Sequence, residues 1–255
     1  MEQTESNPLL INNEFYDDLK DEWYTRKDHP IALLRKENEI RIPWILKTIK
    51  EKFEGPVNAL DIGCGGGFLT NALAEEGHKT SGIDLSSTSL QVAKKFDKTN
   101  SVDYKLASAY DLPYQDNQFS AICAMDVLEH VEDPNKLISE ASRCLKPGGL
   151  FFYHTFNRNP LSFIFIIKGV EWTVKNTPKN LHAYPLFIRP KELEKHLNSY
   201  NLSSIYTSGF GPKLISRAFL QMLFTRVVPD NFEFAFTKGQ LMGYCGYALK
   251  KRKYD

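Results

Sequence analysis

Residues 57–67 constrain this chain more than any other stretch. Val57–Ile62 is an apolar run of strand length that opens directly into Gly63-Cys64-Gly65-Gly66-Gly67, and Gly66–Glu76 then has helical spacing. Gly63, Gly65 and Gly67 permit a turn tight enough to bring bare backbone against a ligand at a helix N-terminus. The dinucleotide pattern GxGxxG requires glycine at position 68, where Phe68 stands, so a nucleotide pyrophosphate is not the favoured guest.

The pattern then repeats. Lys79–Asp84 reads as a second strand and is followed by a helix capped by Ser86. Further strands are expected at Ser101–Ala107, Phe119–Met125 and Leu150–Thr155, with a helix over Asp133–Leu145 closed by the turn signal Lys146-Pro147-Gly148-Gly149. Such alternation implies βαβ units, an α/β fold with a mostly parallel sheet covered by helices. Ahead of it, 14–53 is amphipathic and reads as two helices, the second broken or tilted near Pro43. Behind it, 157–188 breaks the alternation and reads as an insertion. The region 189–249 resumes with a helix at Arg189–Tyr200, a strand at Leu202–Gly209, an illegible segment at 211–238 and a final strand at Leu241–Leu249. That last strand, arriving without a helix, pairs antiparallel. Residues 1–13 read as a flexible tail, and 14–255 as one domain.

Composition narrows the function. With 32 Lys+Arg against 31 Asp+Glu, the chain lacks the basic surplus that a generic grip on nucleic acid needs. Cys64, Cys123, Cys144 and Cys245 have no CxxC spacing and read as buried reduced thiols. No apolar run reaches membrane-spanning length, and the polar start MEQTESNPLL has neither a signal nor a transit pattern, so a cytoplasmic protein is expected.

Two clusters carry chemistry. Asp84, with Leu85 beside it, ends the second strand, where a carboxylate can accept from both hydroxyls of a ribose. Asp126, Glu129 and His130 fall within five residues just past the fourth strand, facing the crevice at the sheet's carboxyl end. They are candidates for proton transfer or for holding a divalent cation. His154 and His182 are further candidate bases, with plain core or surface histidines as the simpler reading.

Asp61 leading into Gly63, Gly65 and Gly67 resembles the first motif of class I S-adenosylmethionine-dependent methyltransferases. The order of DVLEHVEDP, LKPGGLFF, Thr155-Phe156-Asn157-Arg158-Asn159-Pro160, Pro178-Lys179-Asn180-Leu181-His182 and Arg189-Pro190-Lys191-Glu192-Leu193 is similar to that of the ubiquinone-biosynthesis O-methyltransferases, from about Phe15 to Leu249. The resemblance implies a Rossmann-like, seven-stranded, mostly parallel sheet with an antiparallel last strand, N-terminal helices and a helical insertion. It implies S-adenosylmethionine as cofactor, with Arg41 on its carboxylate, Ser108 and Ala109 near its adenine and Met125 bordering it. It further implies a cation such as magnesium on Asp126, Glu129 and His130, with Asp126 where the family has Glu. The substrate implied is a polyprenylated catechol, with other quinone-biosynthesis enzymes as associates.

The insertion fits that substrate. Leu161–Ile167 is apolar, Val170, Trp172 and Val174 continue it, and Arg158, Lys168, Lys175 and Lys179 flank it. Such a segment suits peripheral contact with a membrane through 160–185; a helix packed over the sheet is the other reading. O-methylation of a soluble phenol, an NAD-linked oxidoreductase and a non-catalytic cofactor-binding module remain as alternative functions.

Overall fold

The computed structural model describes residues 15–178 and 180–252. The tail expected over 1–13 lies outside them, as does Lys179 of the insertion. Two one-turn helices, α1 (Phe15–Asp18) and α2 (Glu22–Thr25), lead into the long α3 (Ile31–Lys52). The expected break at Pro43 does not occur. The helix runs on through it, although proline offers no N–H to the Glu39 carbonyl. Ile45 and Ile49, on the turns that follow, are fully buried against the sheet, which offsets that loss.

The strands are β1 (Asn58–Ile62), β2 (Lys79–Asp84), β3 (Asp103–Leu106), β4 (Phe119–Met125), β5 (Leu145–Phe156), β6 (Leu202–Pro212), β7 (Phe234–Thr237) and β8 (Gly243–Lys250). They form one sheet in the order β3-β2-β1-β4-β5-β8-β6-β7. The first five are parallel to their neighbours, and β8 inserts antiparallel between β5 and β6. Among the described residues the sheet therefore has eight strands, one more than expected. The extra one, β7, is a four-residue edge strand in the segment that gave no periodic signal. The Lys146-Pro147-Gly148-Gly149 signal also lands differently, inside β5. There the register with β4 slips between Phe119 and Ala121, and Gly148 adopts φ +80°, so the chain bulges without leaving the sheet.

Period-two alternation sorts the core onto two faces. Ile122, Ala124, Phe151 and Tyr153 face one way, against α6 (Pro134–Cys144) and α9 (Pro190–Ser199). Ala121, Cys123, Leu150 and Phe152 face the other, with α3, α4 (Phe68–Glu75) and α10 (Arg217–Thr225). Ser86 caps α5 (Ser87–Phe96), as its position predicts, by accepting from Ser89 N–H at 2.9 Å. The four cysteines are free and buried. In the insertion, α7 (Pro160–Ser162) continues through wider π turns at Phe163–Lys168 into α8 (Gly169–Thr173). No helix among the described residues is long and apolar enough to cross a membrane.

Candidate active site

Strand order reverses between β1 and β4, so the crossovers after them diverge and leave a crevice at the strands' carboxyl ends. A cavity of about 310 Å³ fills it. Asp61, Gly63 and Gly65 border it from β1, Asp84 and Leu85 from β2, Ala109 from beyond β3, and Met125 and Asp126 from β4. Gly63 and Gly65 have positive φ, and a Cβ at Gly65 would sit 2.5 Å from the Trp23 ring. The bare backbone there is thus required both by conformation and by Trp23, which α2 lays across the loop.

Asp84 is placed as expected, but its partners here are backbone. Gly65 N–H donates to one carboxylate oxygen and Ser86 N–H to the other, each at 2.8 Å, leaving lone pairs free toward the cavity. Burial raises Asp84 above the ordinary carboxylate range. Burial likewise pushes Asp61 up to about 7, even though Thr70 donates to it at 2.7 Å.

Three expected residues do not border this cavity. Gly67 lies behind the cavity as the cap of α4, packed on Tyr104 and Ala93. Ser108 turns back to accept from Tyr110 N–H at 3.1 Å and does not line the cavity. Arg41 is fully buried but is taken by acids. It bonds Asp126 at 2.6 and 2.7 Å and pairs with Glu37 at 3.1 Å, so its charge is already matched by acids of the protein.

That pairing also decides the cation question. Asp126 accepts from Arg41 and is in contact with His154 Nδ1, with its backbone in the left-handed region at φ +58°. Burial would raise Asp126, but Arg41 and His154 outweigh it and hold the carboxyl far below its usual range. Among the described residues, the one group whose donor atoms converge within 4.8 Å is Glu37, Asp126 and His154. Asp126, Glu129 and His130 do not converge, so the expected metal set does not fit. Arg41 already supplies the positive charge between Glu37 and Asp126.

Glu129 and His130 follow on a one-turn 3₁₀ helix. Glu129 is fully buried, and neither of its oxygens has a hydrogen-bond partner among the described residues; nor has His130 Nδ1. Burial and the nearby Asp126 charge push Glu129 up to about 8. Burial lowers His130 to about 4, leaving a neutral imidazole at pH 7.

A second cavity, of about 350 Å³, adjoins the first. Its wall is mostly apolar, built by Ile164, Val170 and Trp172 of the insertion and by Phe219, Met222 and Leu223 of α10. Glu129, His130 and His182 are among its few polar groups. Tyr16, Leu34, Asp126 and His130 border both cavities, so the two spaces meet at these four side chains. Sequence reasoning missed Leu34 and Asn38, which α3 contributes, because their helical spacing is that of an ordinary packing face.

Residues 60–153 match the methyltransferase domain family. The ubiquinone biosynthesis O-methyltransferase of Dechloromonas aromatica is 39% identical over 168 residues, 65% of this chain and 71% of that protein. This chain belongs to the ubiquinone biosynthesis O-methyltransferase family. The Leptothrix cholodnii member is 36% identical over 190 residues, 73% of this chain and 80% of its own. In fold, a SAM-dependent methyltransferase of Thermotoga maritima superposes with a TM-score of 0.63 at 17% identity, covering 93% of this chain and 99% of that one. As a member of this family the chain is an S-adenosylmethionine-dependent methyltransferase.

Proposed function

We propose that this chain transfers a methyl group to a ring hydroxyl of a prenylated catechol, with donor and acceptor in the two adjoining cavities. The observation that carries the reading is their junction at His130: a cavity at the glycine loop, the more polar of the two, meets an almost wholly apolar one at a neutral, unpartnered imidazole nitrogen. S-adenosylmethionine supplies an activated methyl on a sulfonium centre. Asp84 accepts from its ribose hydroxyls, and the backbone at Gly63 and Gly65 admits it closely. The apolar cavity excludes water from the ring and its tail. As the phenolic oxygen bonds to the methyl carbon and the C–S bond breaks, His130 takes the hydroxyl proton. The ionised Asp126, whose charge acts on His130, stabilises the resulting imidazolium. No step passes through a cation, since Asp126 is committed to Arg41. The test is transfer of labelled methyl from S-adenosylmethionine to a short-prenyl catechol; recovery of no labelled ring ether from protein that binds the donor would refute the reading.

Gly65→Ala is expected to weaken S-adenosylhomocysteine binding at least about tenfold by calorimetry. The added Cβ is strained at φ +49° and must displace Trp23. Glu129 makes a pH prediction. Its folded pKa, about 8, lies above the ordinary value of 4.5, so its contribution to stability is full below about 4.5 and is lost as pH rises through 8. Between pH 6 and pH 9 the Tm of Glu129→Gln is therefore expected to fall less than the parent's, by a few degrees in thermal melts.

The same reading places the mouth of the apolar cavity on a lipid surface in the cytoplasm. Trp172 (66% exposed) on α8 belongs to its wall and Phe224 (87%) on α10 follows Leu223 of that wall, with the exposed cations Lys175, Arg217 and Arg226 nearby in the chain. Exposed aromatic side chains with cations close by in the chain suit an anionic interface. Trp172→Glu with Phe224→Glu is expected to lower co-sedimentation with vesicles containing anionic lipid about tenfold or more. Binding equal to the parent's would contradict this placement.

A further inference from the structure

We propose that His182, carried into the acceptor cavity by the insertion, recognises a second ring hydroxyl beside the one that is methylated, so that the cavity selects vicinal dihydroxy rings over monohydroxy ones. The inference rests on the phenol reading above. The His182 ring lies 5.5 Å from that of His130, centroid to centroid and tilted by 49°. Phe156 meets it edge-on at 5.0 Å and Phe187 at 6.1 Å, which fixes its plane without using its nitrogens. No hydrogen bond to those nitrogens is found among the described residues.

The two histidines differ in what they border. His130 touches both cavities, whereas His182 touches only the apolar one. A hydroxyl against His130 therefore faces the donor, and a neighbouring hydroxyl against His182 does not. Burial keeps His182 neutral, so its ring offers one donor and one acceptor, the pair that a hydroxyl remaining protonated requires. Of the acids bordering the cavity, Glu37 and Asp126 are held by Arg41, which leaves Glu129, the two imidazoles and the hydroxyls of Tyr16 and Thr173 as the polar groups of a mostly apolar wall. A monohydroxy ring would leave His182 buried against carbon, and that unmade bond is the source of discrimination.

Calorimetry on the S-adenosylhomocysteine complex tests this with a short-prenyl catechol and its monohydroxy analogue. The parent is expected to bind the catechol about ten- to a hundredfold more tightly. His182→Phe, which keeps a flat ring against Phe156, is expected to bind the two nearly equally. His182→Gln, which retains a donor and an acceptor, is expected to restore most of the preference. A parent that does not discriminate, a Phe variant as selective as the parent, or a Gln variant as unselective as Phe would overturn the inference alone. A parent that binds neither ring would overturn the phenol reading and this inference with it.

Discussion

His130→Asn is expected to lower kcat for methyl transfer about 10²–10⁴-fold, the range for loss of a positioned proton acceptor, with S-adenosylhomocysteine affinity nearly unchanged. The argument is positional. His130 borders both cavities, its Nδ1 has no partner, and burial holds the ring neutral at pH 7. Asn keeps a polar group of similar reach but cannot take the proton. Steady-state kinetics with a short-prenyl catechol, alongside calorimetry for the donor product, separates the two effects. A variant that loses donor binding in parallel with kcat would make His130 a structural part of the donor cavity, and the proton-transfer role would fall.

The second large effect is on stability. Asp126→Asn leaves the left-handed backbone tolerable, since Asn adopts it readily, but removes the principal counter-charge of a fully buried Arg41. An uncompensated buried charge costs about 3–5 kcal/mol; Glu37 at 3.1 Å remains as a partner, so the lower end, about 3 kcal/mol, is expected. That corresponds to a Tm lower by about 6–12 °C. Adding Arg41→Met removes the stranded charge, and the double variant should recover much of the loss. A single variant as stable as the parent would mean that the Arg41–Asp126 pair is not what holds α3 to the end of β4.

The parallel half of the fold was legible because each of its strands is a short apolar run closed by a turn, and each helix has a polar face that reveals its period. β2 and β4 have the residue bounds expected of them. Legibility failed where one of those contrasts is missing. In α10, Phe219, Leu220, Met222, Leu223 and Phe224 leave little polar face, because part of the helix packs on the sheet and part stands exposed beside the cavity. β7 is four residues long, too short to establish a period.

The site divides in the same way. Glycines and an acid at strand ends are local signatures, and Asp61, Gly63, Gly65, Asp84, Ala109 and Met125 all border the first cavity. Arg41 and the acidic cluster depend on contacts between residues far apart in sequence. Arg41 meets Asp126 across 85 positions and His154 meets it across 28, a pairing that spacing within the Asp126–His130 segment could not disclose. A cation and a buried guanidinium suit the same carboxylates, and only the packing of α3 decides which is present.

Donor and acceptor are assigned to separate cavities that meet at His130. Calorimetric titration of a short-prenyl catechol into protein with and without saturating S-adenosylhomocysteine tests that assignment most directly. Simultaneous occupancy is predicted: one site for each ligand, with the catechol binding at least as well when the donor product is in place. Mutual exclusion of the two ligands, or the absence of any site for S-adenosylhomocysteine in folded protein, would contradict it.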